Sequence, residues 1–182
     1  MKSTPLALPG VMLLEPVVYD DARGHFFESF NAAAFVAATG HATPFIQDNQ
    51  SRSHKGVVRG LHFQLPPFAQ GKLVRVLTGA IFDVAVDIRR SSPHFGRWVG
   101  EVLSAENRRQ LWVPPGFAHG FMALRDDTTV LYKVDAPYSR AAEGAIRWDD
   151  PTLGIDWPAS IAPILSDKDA AAPLLGAASL FD

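Results

Sequence analysis

The strongest constraint on the fold is a succession of short segments with strand-like alternation, each ended by glycine, proline or aspartate. The segment KLVRVLTGAIFDVAVDI (72–88) contains two such runs that meet at Thr78-Gly79, which is typical of two strands joined by a tight turn. Similar segments lie at residues 57–64, 97–103, 109–115, 119–124 and 128–134. Many short strands at close spacing predict an all-β sandwich or barrel and argue against βαβ units.

Helix signals are few and lie near the two ends of the chain. Asn31 is a suitable N-cap for the segment AAAFVAA, and Gly40 stands just beyond its end. From Asp149 onward the chain is rich in proline and alanine, which predicts turns and short helices. We therefore expect a single domain over residues 1–182, with residues 150–182 as a C-terminal extension packed on the barrel.

Charge and composition narrow the classes of partner. A formal net charge of −2 at pH 7 offers no electrostatic basis for binding nucleic acid or an anionic membrane. The absence of cysteine removes disulfides and thiolate metal sites, and it suits a reducing cytoplasm. The short apolar stretch near the N-terminus is broken by Pro5, Pro9 and Gly10, unlike a secretory signal. We expect a soluble, cytoplasmic protein with no nucleic-acid or membrane partner.

Three predicted strands each carry one ionisable side chain on a face that also bears valines. Alternation places His62, Lys72 and Tyr132 in such positions. Each residue alone is more simply interpreted as structural: a hydrogen-bonded histidine of the core, a lysine whose ammonium reaches solvent, and a tyrosine of the core. Together, the three indicate an apolar interior with convergent polar groups, as in a small-molecule pocket. Arg59 departs from this pattern, since alternation points it away from His62. A β-bulge at Gly60 would return Arg59 to the same side.

A metal site is the alternative use of such a barrel. The segment PPGFAHGF (114–121) places His119 as in the second histidine motif of cupins. The first cupin motif, however, requires two histidines one residue apart followed by a glutamate, whereas this chain has His62-Phe63-Gln64. Two imidazoles and an amide are a poor ligand set for iron, zinc or copper. We therefore predict no metal site, while the barrel itself gains support.

An ordered set of motifs covers almost the whole chain and resembles one family. RGLHFQ, QGKLVRVLTG, DVAVDIR, VPPGFAHGF, VLYKV and EGAIRWDDPTLGIDWP, in this order, are similar to the dTDP-4-dehydrorhamnose 3,5-epimerases. The resemblance runs from residues 20–30 to residues 166–173 without large insertions. It implies a cupin-type β jelly roll with a few short helices, a homodimer, and no metal or organic cofactor.

The resemblance also implies a role for particular residues. His62 is then the general base and Asp169 its carboxylate partner, Tyr132 is the acid on the opposite face of the sugar, and Lys72 stabilises charge on the keto oxygen. Tyr138 is implied to stack on the thymine ring. The remaining positions implied to bind the nucleotide sugar are Arg23, Glu28, Gln47, Asn49, Arg59, His119, Glu143 and Lys168.

The chemistry of the implied reaction matches these residue types. In dTDP-4-dehydro-6-deoxy-glucose, C3 and C5 flank the C4 ketone, and inversion at either carbon needs a base and an acid on opposite faces with a cation near the oxygen. The expected product is dTDP-4-dehydro-L-rhamnose, for dTDP-L-rhamnose biosynthesis. Three alternatives stay open: a mono-epimerase that inverts only C3 or only C5, a metal-dependent cupin oxygenase, and a non-catalytic sugar-binding cupin.

Overall fold

The computed structural model describes residues 1–182 as a β protein with two short α-helices. A single 3-10 turn at Leu175–Ala177 lies near the C-terminus. The helices are α1 (Ala32–Thr39) and α2 (Asp167–Ala170). The strands are β1 (Lys2–Pro5), β2 (Met12–Glu15), β3 (Val18–Asp21), β4 (Gly24–Phe27), β5 (Gln47–Ser53), β6 (Val58–Gln64), β7 (Lys72–Thr78), β8 (Ala80–Asp87), β9 (Trp98–Ser104), β10 (Gln110–Val113), β11 (Phe117–Ala123), β12 (Thr128–Val134) and β13 (Glu143–Ala145).

The strands pair throughout in the antiparallel sense and form two large sheets. One sheet has six strands in the order β1-β2-β10-β7-β12-β5, and the other has five in the order β13-β6-β11-β8-β9. The two sheets pack face to face, as in a cupin-type jelly roll. The predicted all-β class, and the turn between β7 and β8 at Gly79, are confirmed.

The main core fills the space between the two sheets. Val74, Val76 and Val130 enter it from the six-stranded sheet, and Phe117 and Phe121 enter it from the five-stranded sheet. Burying a side chain of this size contributes about 1.5–3 kcal/mol. Since these residues alternate with others along each strand, the inward faces of β7, β11 and β12 are fixed by the core.

Residues 150–182 cover the outer face of the five-stranded sheet. Leu61 and Phe63 of β6 point to that face and pack in one cluster with Leu153 and Leu175. The Val58 N–H also donates a hydrogen bond to the carbonyl oxygen of Ile164 at 2.9 Å. This segment therefore returns to β6 and brings α2 against the strand that carries His62.

Helix α1 has the predicted caps. The Asn31 side chain accepts a hydrogen bond from the Ala34 N–H at 3.0 Å, and Gly40 closes the helix at a φ of 73°. Its Phe35 is buried against Trp112 of β10, with ring centroids 5.0 Å apart. No helix of the protein combines the length and apolar character needed to cross a bilayer.

Strands β3 and β4 form a hairpin that joins neither large sheet. Two of its aromatic side chains face solvent, since Tyr19 is 64% and Phe26 is 71% exposed, whereas Phe27 lies against Arg75 of β7. A two-stranded ribbon is marginally stable without further packing. The exposed aromatic surface of this hairpin, residues 18–27, is thus without a partner within the chain.

Candidate active site

Two adjoining cavities of about 300 and 210 Å³ open between the sheets, and both are lined by His62, Lys72 and Tyr132. The larger of the two is also lined by the predicted site residues Arg59, His119, Lys168 and Asp169. The smaller is also lined by Gln47, Asn49, Tyr138 and Glu143. We refer to the two together as the site cavity.

The candidate base and acid reach the site cavity from different sheets. His62 lies on β6 of the five-stranded sheet, whereas Tyr132 on β12 and Lys72 on β7 belong to the six-stranded sheet. Val74 and Tyr132 are direct neighbours in the β7–β12 register, so Lys72 and Tyr132 emerge close together on one wall. A substrate in the site cavity would therefore have His62 on one side and Tyr132 on the other.

His62 is paired with a buried carboxylate. Its Nε2 atom lies 2.5 Å from Oδ1 of Asp169, which is 4% exposed. Burial acts to raise the pKa of Asp169, but the hydrogen bond and charge of His62, with hydrogen bonds from Ser166 and the Gly60 backbone, hold that pKa below its ordinary value. Asp169 is therefore ionised at neutral pH. It fixes the orientation of the imidazole and leaves Nδ1 as the nitrogen that can exchange a proton.

Lys72 is partly buried at the centre of the site. Its Nζ donates a hydrogen bond to the His62 carbonyl oxygen at 3.1 Å. Burial lowers the pKa of Lys72 to about 8, and the charges of Asp83 and Glu143 oppose that shift. The side chain is therefore still mainly an ammonium at neutral pH, in surroundings where a cation interacts strongly with a developing anion.

Tyr132 keeps its proton in this environment. Burial raises the pKa of its phenol, and the positive charge of Arg59 only partly opposes the shift. At neutral pH the hydroxyl group is therefore protonated and is able to donate a proton.

Arg59 reaches the site cavity through the predicted β-bulge. In the β6–β11 pairing His62 lies opposite His119, but Arg59 lies opposite Phe121, so one strand has an extra residue between the two pairs. Gly60 has a φ of 139°, and a Cβ atom there would lie 2.5 Å from the Cα of Gly120. Only glycine fits this position.

Gln64, at the place of a cupin metal ligand, has a different role. Its amide nitrogen donates to the carbonyl oxygens of Phe68 at 2.7 Å and Pro137 at 3.0 Å, and its oxygen accepts from the Ser139 N–H at 2.6 Å. The side chain thus fixes the loop that carries Tyr138. No group of three or more His, Asp or Glu side chains is arranged to hold a metal ion.

Three of the residues predicted to bind nucleotide sugar are joined at the entrance. Nζ of Lys168 lies 2.5 Å from Oε1 of Glu143, and the hydroxyl of Tyr138 donates to Oε2 of Glu143 at 3.2 Å. The Tyr138 ring is 58% exposed. An exposed ring held at the mouth of the site cavity offers a face on which a base can stack.

Arg23 and Glu28 are the two predicted site residues that the chain does not bring to the site cavity. Arg23 is exposed in the β3–β4 turn, where its Nη2 lies 2.6 Å from Oδ2 of Asp21. The Glu28 carboxylate accepts a hydrogen bond from the Asn31 amide at 3.2 Å. Both lie on or next to the exposed hairpin.

Sequence reasoning missed Asp83 and Ser51. Asp83 is fully buried, and its Oδ1 lies 2.7 Å from Nε2 of His119. Ser51 lines the site cavity, and its buried hydroxyl has no partner in the protein. A carboxylate within the apolar run IFDVAV was a usable signal for Asp83, whereas nothing in the sequence distinguishes Ser51 from an ordinary strand serine.

A cavity of about 620 Å³, larger than either part of the site cavity, lies elsewhere, between α1 and the edge of the six-stranded sheet. It is lined by side chains such as Phe35, Phe45 and Ile46, and by none of the four predicted catalytic residues. Volume alone would thus select this cavity, whereas the convergence of ionisable groups selects the site cavity as the candidate active site.

Comparisons with known proteins point to one family. The family model described as dTDP-4-dehydrorhamnose 3,5-epimerase matches residues 5–177. The dTDP-4-dehydrorhamnose 3,5-epimerase of Salmonella typhimurium is 57% identical over 96% of this chain and 95% of its own length.

Solved structures give the same result. The Legionella pneumophila dTDP-6-deoxy-D-glucose-3,5-epimerase in complex with dTDP-4-keto-L-rhamnose superimposes with a TM-score of 0.93 at 49% identity, covering 97% of this chain and 93% of that one. The Streptomyces bikiniensis 3'-monoepimerase in complex with dTDP-quinovose superimposes with a TM-score of 0.90 at 40% identity, covering 94% and 87%. The chain therefore belongs to the dTDP-4-dehydrorhamnose 3,5-epimerase family.

Proposed function

We propose that this protein epimerises dTDP-4-dehydro-6-deoxy-glucose at C3 and C5 to give dTDP-4-dehydro-L-rhamnose, in dTDP-L-rhamnose biosynthesis. The observation that carries the proposal is the position of His62 and Tyr132 on opposing sheets across one cavity, with Lys72 lining it as well. Inversion of a carbon requires a base on one face and an acid on the other, and this arrangement provides both.

The reaction begins when Nδ1 of His62 takes the proton from a carbon next to the C4 ketone. The electron pair of the broken C–H bond moves onto the carbonyl oxygen, and the Lys72 ammonium stabilises the resulting enolate. Tyr132 then donates its proton to the carbon from the other face and recovers one from solvent, while His62 releases to solvent the proton that it took. Asp169 stabilises the imidazolium formed on His62, as a carboxylate does for histidine in serine proteases.

Binding residues surround this centre. Arg59 and Lys168 are the cations that line the larger part of the site cavity, and they suit the diphosphate. Tyr138 offers its ring to the thymine, while Gln47 and Asn49, which lie hydrogen-bonded at 2.7 Å, offer amides to the nucleotide sugar. Lys168 leaves its contact with Glu143, at least in part, when it binds phosphate.

The second candidate function is inversion at a single carbon. It rests on a specific observation, since a 3'-monoepimerase shares this fold at a TM-score of 0.90. That structure is 40% identical to this chain, however, whereas the 3,5-epimerase of Salmonella typhimurium is 57% identical. We therefore favour inversion at both carbons.

Incubation of the substrate with the enzyme in deuterated water is expected to place deuterium at both C3 and C5 of the product. Each carbon loses a proton to His62 and regains one derived from solvent, so both positions acquire label. Proton NMR measures the loss of the two C–H signals. Label at one carbon only, at complete conversion, would assign the protein to the mono-epimerases, and no label at either would contradict the proposed function.

The working form is proposed to be a homodimer in which the β3–β4 hairpin reaches the site of the other subunit. The exposed Tyr19 and Phe26 supply apolar surface for such a contact, and Arg23 and Glu28 lie beside it without reaching the site cavity of their own chain. Arg23 would then add a cation for the diphosphate across the interface. Each subunit is proposed to be one domain that acts in the cytoplasm without a metal or organic cofactor.

Sedimentation at micromolar concentration is expected to show a dimer, and the double variant Tyr19→Ser/Phe26→Ser is expected to shift it toward monomer with a loss of activity. Arg23→Ala is expected to raise KM by about 10-fold, the cost of one charge-assisted contact, with little change in sedimentation. Val102→Ser, an exposed apolar residue on β9, serves as the matched surface control. A fully active monomer would rule out this arrangement.

A further inference from the structure

Asp83 lies on strand β8 of the five-stranded sheet, between β11 and β9, and is fully buried. It shares the inward face of the strand with Ile81 and Ala85, both core residues. Its Oδ1 lies 2.7 Å from Nε2 of His119, while its Oδ2 has no hydrogen-bond partner in the protein. A buried carboxylate with an unpaired oxygen destabilises the fold, so its presence in the core indicates a role in the site.

The position of Asp83 ties it to the reacting centre. Its partner His119 lines the site cavity and stands directly opposite His62 in the pairing of β6 with β11. The charge of Asp83 also acts on Lys72, where it opposes the effect of burial. Titratable and charged groups surround Lys72 from every neighbouring element. They are His62 on β6, Asp83 on β8, His119 on β11, Tyr132 on β12, Glu143 on β13, Lys168 and Asp169 on α2, and Arg59 at the bulge.

We propose that Asp83 is a positioning residue of this active site, whose buried carboxylate orients His119 and supplies a fixed negative charge behind the site cavity. The catalytic half of this statement rests on the proposed function. Asp83 and His119 thus form a second carboxylate–imidazole pair beside that of Asp169 and His62, and both imidazoles lie on the five-stranded sheet.

The direction of the effect follows from the charges. Burial lowers the pKa of Lys72 to about 8, and the negative charge of Asp83 limits that fall. If the charge is removed, the pKa of Lys72 falls further, so less ammonium is present at pH 7. Since the ammonium stabilises the enolate, turnover then declines at a lower pH than in the natural enzyme.

The test is an NMR titration of Lys72 in the protein and in its Asp83→Asn variant, which keeps the shape of the side chain. The chain has five lysines, so ¹³C-labelled lysine gives few signals, and Lys72→Arg identifies the one from Lys72. We expect the Lys72 titration to move down by about one pH unit or more, as for a nearby buried countercharge. The alkaline limb of the kcat profile is expected to move with it.

Asp87→Asn is the matched control. Asp87 is also fully buried on β8, but it is bonded to Arg89 and Ser92 outside the site cavity. This variant is expected to lose stability and to leave the Lys72 titration in place. An unchanged Lys72 titration in folded Asp83→Asn would overturn the proposal, because a purely structural role of Asp83 predicts that result.

A measurement on the natural protein decides the point even if Asp83→Asn does not fold. ¹⁵N NMR of His119 is expected to show a proton on Nε2, the nitrogen that faces Asp83. An unprotonated Nε2 would overturn the proposed pairing. Neither the Lys72 titration nor the ¹⁵N measurement of His119 needs substrate. A shifted Lys72 titration together with no deuterium exchange into the substrate would therefore refute the proposed function and leave the pairing of Asp83 with His119 intact.

Discussion

His62→Ala is expected to abolish the exchange of substrate protons with solvent, while the protein still folds and still binds dTDP. The His62 imidazole contacts the buried carboxylate of Asp169, and 32% of its side chain is exposed. It is the only base candidate on its wall of the site cavity that combines these two properties. A positioned general base contributes roughly 10²–10⁴-fold to a proton transfer. Because the same base serves both carbons, its loss reduces both steps, and exchange falls below detection.

Asp169→Asn is expected to retain the shape of the pair but to lower kcat on the order of 10²–10⁴-fold, as loss of the carboxylate partner does for a catalytic histidine. The amide no longer stabilises the imidazolium. His54→Ala is the matched control, because His54 is an exposed histidine outside the site cavity. Near-normal turnover in His62→Ala would show that another group removes the protons.

The parts of the fold that could be predicted are those in which local rules and tertiary packing agree. The turn at Gly79 and the caps of α1 at Asn31 and Gly40 depend on the preferences of single residues, so the sequence indicates them directly. The faces of β7 and β12 follow from alternation, because the valines beside Lys72 and Tyr132 must enter the core.

Other strands carry no such signal. β5 has the sequence QDNQSRS, without an apolar residue, and it is a strand because it pairs with β12 from Ser53 to Gln47. The strands β1 to β4 are four residues each, too short for a pattern. Their structure is set by pairing across the sheet, which local sequence does not encode.

The site was predictable only where a residue type is unusual for its place. His62 and Lys72 stand out on apolar faces, and the bulge that redirects Arg59 could be inferred from Gly60. The contact of His62 with Asp169 joins residues 107 positions apart and depends on the return of residues 150–182 to β6. No spacing rule predicts such a contact, so family resemblance was its sole indication.

Tyr132→Phe is expected to change the product and to lower kcat by roughly 10²–10⁴-fold, the contribution of a positioned general acid. The phenol keeps its proton at neutral pH because burial raises its pKa, and it is the proposed donor on the wall opposite His62. Without the hydroxyl, His62 still removes protons, and a proton returns from the same face with the original configuration. Exchange therefore persists where inversion does not.

The two carbons are expected to respond differently to this substitution. C3 and C5 lie on either flank of the ketone, and an acid fixed on one strand is not equally near both unless the sugar moves between the steps. The carbon that depends on Tyr132 retains its configuration, while solvent still delivers a proton to the other. NMR of the Tyr132→Phe reaction is then expected to show deuterium exchange but a product inverted at one carbon. The binding of dTDP should be unchanged, which separates loss of the acid from loss of the fold. A doubly inverted product formed at the natural rate would mean that the proton comes from another donor, and the assignment of the two opposing sheets as base and acid walls would then fail.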